Sequence, residues 1–345
     1  MLSIRKATLL PVLALLVGMG CGDRMPDSVG PAQDILVLAD LSEWEKYEPV
    51  VRDIFEKELR TPQIEKIFSV LHGRVEEIEI HKHLKRKNVL VISPIDSQTP
   101  TGDFLRSILS PEVGEAIRSG QSNISWKKNV WAKEQLLFVA TGNSVEEVIS
   151  NIRGESDRLF AAAERARNKR IAKLVYKYGE REDVTRQLAD EFGWQVRVPF
   201  GYRILDAKPD SGFVALVKEQ PSRWCFVYWE DGIPADALTE NWVLAKRDEI
   251  TQRFFDQDRI APGEVEVFQS DFSGKLAMVL QGLWENEAKW TGGPFKSYAF
   301  VDLHLDRFFF IDVGVFSPNK QKEPYLRQLD LMANTFKTAG EPQIN

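Results

Sequence analysis

After residue 33 the chain alternates short apolar runs with longer amphipathic segments, and this alternation limits the possible folds more than any other feature. Residues 34–39 form one apolar run, and residues 42–59 repeat apolar side chains at three- and four-residue spacing until Pro62. The first pattern predicts a buried strand, and the second predicts an amphipathic helix that begins at Ser42. Because several later strands are joined by short turns, we expect an α+β fold with mixed or mainly antiparallel sheets and amphipathic helices packed on one face.

The apolar periodicity also predicts where the chain divides. A helical stripe runs from residue 143 to about Tyr178, weakened locally at Gly154, and Gly179 is typical of a helix end. We therefore expect an N-terminal α+β half at 34–179 and a C-terminal half at 180–345. The halves share the same order of elements and could be a duplication, although no residue pattern aligns between them.

The N-terminus has the features of an export signal. Arg5 and Lys6 precede an apolar stretch, residues 7–20, that is too short to cross a bilayer as a helix but fits a secretory signal. Gly20 directly before Cys21 resembles a bacterial lipobox, which implies cleavage before Cys21 and lipidation of its thiol. We therefore predict a lipoprotein signal peptide at 1–20 and a flexible tether at 21–33. An ordinary signal peptide, or an uncleaved anchor with a coincidental cysteine, is the alternative.

This anchor would tie the protein to a membrane of the cell envelope. Gly22, rather than Asp, follows the cysteine and favours the outer membrane with the protein facing the periplasm. The formal charge of −6 argues against a nucleic-acid partner, since dedicated nucleic-acid binders carry a basic surplus. With Cys225 as the only other cysteine, we expect no internal disulfide once Cys21 is lipidated.

Motifs for known chemistry are absent from the sequence, so we predict no catalytic residue, no cofactor and no metal site. His81 and His83 alternate with Glu77 and Glu79 as they would on one face of a strand, and such a face could collect a metal. We interpret this run as a solvated edge strand instead. Asp302, His304 and Asp306 repeat the alternation in what resembles a hairpin turn, which would separate their side chains. For both runs, a metal site remains the alternative.

The segment 283–295 is the best candidate for ligand binding. Trp284 and Trp290 flank Glu285, and Gly292 and Gly293 precede a proline. Aromatic rings beside a carboxylate can form a floor for a sugar or a cationic group. The alternative is that Trp284 is a core residue that closes a hairpin, with Gly-Gly-Pro as a plain turn in which Gly293 needs a positive φ.

Several stretches resemble an uncharacterised family of Bacteroidota lipoproteins, domain of unknown function 4837. The most specific is Gln281-Gly282-Leu283-Trp284-Glu285 followed by Gly292-Gly293-Pro294-Phe295; the others are Val130-Trp131-Ala132-Lys133, Val198-Pro199-Phe200-Gly201-Tyr202, Val313-Gly314-Val315-Phe316-Ser317-Pro318 and Tyr325-Leu326-Arg327-Gln328-Leu329. The resemblance implies a lipoprotein in the envelope of a cell of that type. It implies no catalytic residue, because the family has no assigned activity.

Together these features predict a lipid-anchored envelope protein that acts as a non-catalytic binding or assembly component. Its partner would be another envelope protein or a glycan. An envelope hydrolase or transferase with an unrecognised active site is the alternative, and it would require titratable side chains that converge in a cleft.

Overall fold

A computed structural model describes residues 25–76, 80–255 and 257–338 of the chain. Cys21 and the signal sequence lie outside the described residues. The chain divides into two compact units: the first contains residues up to 57 and 66–170, and the second contains residues 58–65 and those from 171 onward. The expected boundary was at 179–180, so the observed division falls earlier, within a helix. In the described residues, no helix is long and apolar enough to cross a membrane.

The first part of the chain forms a mixed sheet with helices between its strands. Its elements are β1 (Asp34–Leu38), α1 (Leu41–Phe55), β2 (Glu58–Leu59), β3 (Glu65–Lys66), β4 (Ser69–Gly73), α2 (Ile80–His83), β5 (Asn88–Ile92), α3 (Pro100–Ile108), α4 (Pro111–Arg118), β6 (Ile124–Lys128), β7 (Leu136–Ala140), α5 (Val145–Gly154) and α6 (Ser156–Val175). The sheet order is β4-β1-β5-β7-β6, and only the edge strand β6 runs antiparallel to its neighbour.

Helices cover both faces of this sheet. Ile35 and Val37 of β1 belong to one buried cluster with residues of α1, α5 and α6. Leu36 and Leu38 point to the opposite face and belong to a second cluster with residues of α3 and α4. The prediction of helices on one face is therefore wrong for this unit. Parallel strands need crossover connections, and these place helices on both sides of the sheet.

The segment expected to be a free tether, 21–33, makes backbone hydrogen bonds to the first unit in its described part. The amide of Lys133 donates to the carbonyl of Pro26 over 2.8 Å, and the amide of Val29 donates to the carbonyl of Lys85 over 2.9 Å. Residues 26–29 are thus fixed to the body of the unit. Such bonds use only main-chain groups, so they leave no apolar periodicity in the sequence.

The second unit is built on a seven-stranded antiparallel sheet. The remaining elements are α7 (Glu182–Phe192), β8 (Trp194–Gln195), β9 (Arg203–Lys208), β10 (Phe213–Lys218), β11 (Ser222–Asp231), α8 (Glu240–Phe254), β12 (Arg259–Phe272), β13 (Lys275–Asn286), β14 (Thr291–Asp302), β15 (Arg307–Phe316), α9 (Glu323–Ala333) and β16 (Lys337–Thr338). The sheet order is β12-β13-β14-β15-β11-β10-β9. This confirms the α+β class, but the two sheets differ in topology, so the units are not similar halves.

Helices pack on both faces of this second sheet as well. Phe310 of β15 lies in the buried cluster that includes Val243 and Ile250 of α8. The neighbouring residue, Phe309, faces the other way and contacts Phe336, with 5.2 Å between ring centroids. Helix α9 packs against β15, β11 and β14. The sheet of the second unit therefore lies between α8 on one face and α9 on the other.

Two local predictions fail for identifiable reasons. The single helix expected over 143–178 is divided into α5 and α6 at Gly154 and Glu155, where the amide of Glu155 caps α5. The strand expected to carry His81 and His83 is a single helical turn, Ile80–His83. Residues two apart do not share a face of a helix, so His81 and His83 do not form the common ligand face that the metal hypothesis required.

Candidate binding sites in the second unit

Trp284 is a core residue. It lies on the face of β13 that packs against α8 and is 4% exposed. Its ring contacts those of Trp224 and Phe316, with centroid distances of 5.2 and 6.3 Å. Trp290, in contrast, lies in the turn after β13 and is 94% exposed. The two rings therefore do not form a common binding floor.

Glu285 lies on the opposite face of β13 from Trp284 and forms an ion pair. Its Oε1 accepts a hydrogen bond from Nε of Arg259 on β12, over 3.0 Å. Arg259 also bonds Glu287, so one guanidinium joins two carboxylates at this end of the sheet. The hydrogen bond to Glu285 raises the pKa of Arg259, as expected for a cation held between two anions.

Gly292 and Gly293 lie inside strand β14 rather than in a turn. Neither has a positive φ, so that expectation for Gly293 is wrong. The need for glycine is steric, because a Cβ at Gly293 would lie 2.0 Å from the carbonyl oxygen of Val315 and 3.1 Å from Nε1 of Trp284. The Gly-Gly-Pro sequence thus lets β14 pass close to the neighbouring strand and the core indole.

A polar cavity of about 770 Å³ lies beside the predicted segment. It is lined by Gln252, Gln257, Arg259, Asn286, Glu287 and Ala288. Asn286 shapes its floor, since its Nδ2 donates to Oδ1 of Asp258 over 2.8 Å and its Oδ1 accepts from the amide of Lys289 over 2.9 Å. The ion pair of Arg259 lies at its wall. None of the predicted binding residues (Trp284, Glu285, Trp290, Gly292 and Gly293) is among the residues that line this cavity.

An apolar cleft of about 550 Å³ lies near the other ends of strands β13 and β14. Lys275 and His304 are among its polar residues, and its apolar side chains are those of Ala235, Leu238, Leu276, Ala277, Met278, Val301 and Leu303. Leu276 is 73% exposed and Leu303 is 82% exposed. Two leucines exposed to this extent in one cleft offer apolar surface that a partner could bury. We call this surface the apolar cleft.

Asp302 holds the turn at the edge of the apolar cleft. It is 3% exposed, and its Oδ1 accepts from the amides of His304 and Leu305 over 3.0 and 3.3 Å. Its Oδ2 accepts from the hydroxyl of Thr338 over 2.8 Å. Both oxygens are thus used to order the chain. Among residues that the structure describes, no group of three His, Cys, Asp or Glu side chains is placed to hold a metal ion.

A buried ion pair joins α8 to the sheet. Nε of Arg247 donates to Oδ2 of Asp312 over 2.8 Å, and both side chains are at most 1% exposed. Ser297 and Trp224 also donate to Asp312, over 2.7 and 3.2 Å. One sequence signal points to this pair: Asp312 is the single charged residue in the apolar run 308–316. Its role is to fix the helix on the sheet, because each buried charge needs the other.

The first unit contains a buried carboxylate that the sequence analysis did not single out. Glu43, in the first turn of α1, is 8% exposed. Its Oε1 accepts from the hydroxyl of Ser97 over 2.9 Å, and its Oε2 accepts from that of Tyr47 over 3.4 Å. Burial raises the pKa of Glu43. The cluster lies beyond the carboxyl ends of β1 and β5, where parallel sheets often bind ligands.

Family comparisons confirm the resemblance for the second half of the chain. Residues 181–335 match the model of Domain of unknown function (DUF4837). Residues 28–176 match a different one, Domain of unknown function (DUF8532). The stretch 130–133, which was predicted to resemble DUF4837, falls instead within the match to DUF8532. The two matches meet near residues 179–180.

No curated protein matches the chain. Among solved structures, a protein of Bacteroides thetaiotaomicron aligns at 6% identity with a TM-score of 0.28, covering 43% of this chain and 46% of that one. The Ran-binding protein Mog1p of Saccharomyces cerevisiae aligns at 12% identity with a TM-score of 0.30, covering 42% and 90%. LpqN, described as involved in cell envelope biogenesis of Mycobacterium tuberculosis, aligns at 10% identity with a TM-score of 0.28, covering 42% and 83%. None of these similarities defines an activity for this chain.

Proposed function

We propose that this chain, whose residues 181–335 belong to the family of Domain of unknown function (DUF4837), is a lipid-anchored cell-envelope protein that binds another envelope protein through its apolar cleft. The observation that carries this proposal is the pair Leu276 and Leu303, both mostly exposed in a cleft of about 550 Å³. The proposed role is binding or assembly, without catalysis by the cleft.

Burial of these leucines would supply the driving force for association. Covering an exposed leucine side chain is worth about 1.5–3 kcal/mol, so Leu276 and Leu303 together could contribute several kcal/mol to binding. Met278 and Val301 line the cleft between them and add apolar surface. The polar groups of Lys275 and His304 would give the partner its orientation, as the polar rim does in many interfaces.

The chemistry of the cleft favours a protein segment over a glycan as the partner. Sugar-binding sites commonly use an aromatic ring as a floor, but no Trp, Tyr or Phe is among the residues that line the cleft. The two tryptophans that the sequence offered for a glycan are separated, since Trp284 is in the core and Trp290 is exposed in a turn. An exposed aliphatic surface instead suits the apolar side chains of a protein partner.

Membrane attachment is proposed from the N-terminal sequence, in which Gly20 and Cys21 follow an apolar signal. Lipidated Cys21 would hold the protein at the outer membrane, facing the periplasm. We expect Cys21→Ala to remain unprocessed or to leave the detergent phase during phase partitioning. An intact mass of the mature protein with an unmodified residue 21 would contradict the anchor.

Site-specific photo-crosslinking tests the cleft. A photo-reactive amino acid at position 276 or 303 of the full chain should give the same single envelope-protein adduct from either position. The matched control is position 205 on β9, because Leu205 is also apolar and 48% exposed but lies outside the cleft. Leu276→Glu should abolish the adduct formed at position 303. An adduct formed equally from position 205, or one that survives Leu276→Glu, would refute binding at this cleft.

A further inference from the structure

Arg223 of β11 carries a charge that the protein does not neutralise. The residue is 6% exposed, and its Nη1 is buried without a hydrogen-bond partner. Its Nε donates to the hydroxyl of Tyr202 over 3.2 Å, and its guanidinium lies 5.0 Å from the ring centroid of Tyr325. No carboxylate in the described part of this unit pairs with it. A buried guanidinium of this kind is costly unless an anion accompanies it.

A second cation lies beside the same ring. Nζ of Lys218 is 5.6 Å from the ring centroid of Tyr202 and donates to the carbonyl of Phe200 over 2.9 Å. Burial and the nearby charge of Arg223 lower the pKa of Lys218, so the two cations are close enough to disfavour each other. Within residues 171–255 and 257–338, no acidic side chain pairs with Lys218.

Tyr202 adds a third donor. Its hydroxyl oxygen accepts from Arg223, and the structure gives its own proton no acceptor in the described residues. Burial raises the pKa of Tyr202 to about 12, so the phenol keeps this proton at neutral pH. Glu219, which directly follows Lys218 in the chain, pairs with Arg203 instead, at 4.0 Å. The cluster therefore presents hydrogen-bond donors and two positive charges, but no carboxylate that pairs with either cation.

We propose that Arg223, Lys218 and Tyr202 bind an oxyanion, a phosphate or carboxylate group. Such a ligand accepts hydrogen bonds only, and it would neutralise the two cations that the fold leaves without a counter-ion. It would enter on the side of Phe200, which is 58% exposed, and of Tyr325, which is half-buried. This site shares no residue with the apolar cleft, so either proposal can fail without the other.

The backbone turn at Gly201 leaves space for the side chain of Lys218 beside Tyr202. Gly201 has a φ of +88°, and a Cβ there would lie 3.1 Å from both Cε and Nζ of Lys218. Glycine thus permits the turn and leaves room for the ammonium group above Tyr202. Tyr202 and Tyr325 come from two different stretches on which the family resemblance rests, 198–202 and 325–329. The fold brings their ring centroids within 6.0 and 5.0 Å of the guanidinium of one arginine, Arg223.

Thermal unfolding of the mature full-length protein tests the site. Sodium phosphate and sodium acetate are titrated separately against sodium chloride at matched ionic strength. We expect at least one of the two oxyanions to raise the Tm saturably by several degrees, because a ligand that binds only the folded state stabilises it. Isothermal titration with the same anion should give at least a tenfold weaker affinity for Lys218→Gln, since a charged donor is lost.

Two further variants complete the test. Lys208→Gln is the matched control, because Lys208 is a partly exposed lysine on the adjacent strand β9 that pairs with Asp206 at 2.6 Å, and its loss should leave anion affinity unchanged. Arg223→Lys keeps the charge but loses the planar donor group, and it should weaken binding if it folds. Lys218→Gln, which alters a partly exposed side chain, decides the question even if the arginine variant does not fold.

The source of the oxyanion is distinguished by a lipid arm. Vesicles of phosphatidylglycerol and of phosphatidylcholine are compared in flotation. The protein is produced without residues 1–21, so that neither the apolar signal sequence nor a lipid on Cys21 takes part. Lys218-dependent flotation with phosphatidylglycerol identifies a lipid headgroup, whereas a response to phosphate or acetate alone identifies a free anion. An equal Tm shift with chloride, or equal affinities for the original protein and Lys218→Gln, would overturn the proposal.

Discussion

Replacing Trp284 with alanine should destabilise the second unit strongly, because this ring fills the space between β13 and α8. A buried tryptophan covers about 200 Å² of surface, of which roughly 130 Å² would be lost, and at about 25 cal/mol per Å² this amounts to about 3 kcal/mol. The cavity adds to this cost. Nε1 of Trp284 is a buried donor without a hydrogen-bond partner, so its removal should reduce the loss of stability by about 1 kcal/mol. We therefore expect a net loss of about 3–4 kcal/mol.

Thermal and urea unfolding, followed by circular dichroism, measure this loss. For a unit of this size a change of about 3 kcal/mol corresponds to a fall in Tm of about 6–12 °C. Trp290→Ala is the matched control, because that ring is 94% exposed and its removal should change stability by less than about 0.5 kcal/mol. A loss below about 1 kcal/mol for Trp284→Ala, or an equal loss for Trp290→Ala, would refute the assignment of Trp284 to the core.

Three other perturbations follow from the buried contacts. Asp312→Asn should lower the free energy of unfolding in urea by about 3–5 kcal/mol, since it leaves the guanidinium of Arg247 buried without its anion. Adding Arg247→Met should recover part of that loss. No recovery would mean that the two residues are not energetically coupled. Gly314→Ala should lower the Tm, because its Cβ would lie 2.2 Å from the ring of Trp224. A Cβ at Gly154 would have no atom within 4 Å, so Gly154→Ala should be neutral or stabilising. Equal effects of the two variants on the Tm would contradict this steric argument. Because burial raises the pKa of Glu43, its contribution to stability is present below its unfolded pKa and is lost as the pH rises through the folded pKa. Glu43→Gln should therefore raise the Tm at pH 7.5 and have little effect at pH 4, and an equal gain at both pH values would exclude titration of this carboxyl as the cause.

Much of the local structure could be predicted because local patterns determine it. The apolar run before residue 39 is strand β1, and the periodic segment after it is helix α1. The predicted start at Ser42 is wrong by one residue: α1 begins at Leu41, and Asp40 caps it by accepting a hydrogen bond from the amide of Ser42. Thr239 caps α8, and its hydroxyl oxygen accepts a hydrogen bond from the amide of Trp242, as threonine commonly does at this position. Short strands were harder to recognise: β6 and β9 have exposed or half-buried residues and little apolar signal. Their pairing with a neighbour, rather than their composition, makes them strands.

The candidate site shows the same limit. The sequence predicted ligand binding at the segment 283–295, but it could not show which of the two tryptophans was buried. Strand alternation places Trp284 and Glu285 on opposite faces, and only the packing of α8 decides which face is the core. The glycines were expected in a turn, yet they allow close contact with Val315, a residue more than twenty positions away. The apolar cleft joins residues from separate hairpins, so no continuous motif records it.

The sequence by itself determined features that depend on neighbours along the chain, which are the apolar alternation of β1 and α1 and the resemblance of residues 281–329 to a family. The tertiary structure alone decided the parallel order of the first sheet, the covering of both sheet faces and the convergence of Tyr202 and Tyr325 on Arg223. The physical reason is that propensity and capping act over a few residues, whereas burial and charge pairing depend on groups that are brought together only when the sheets form.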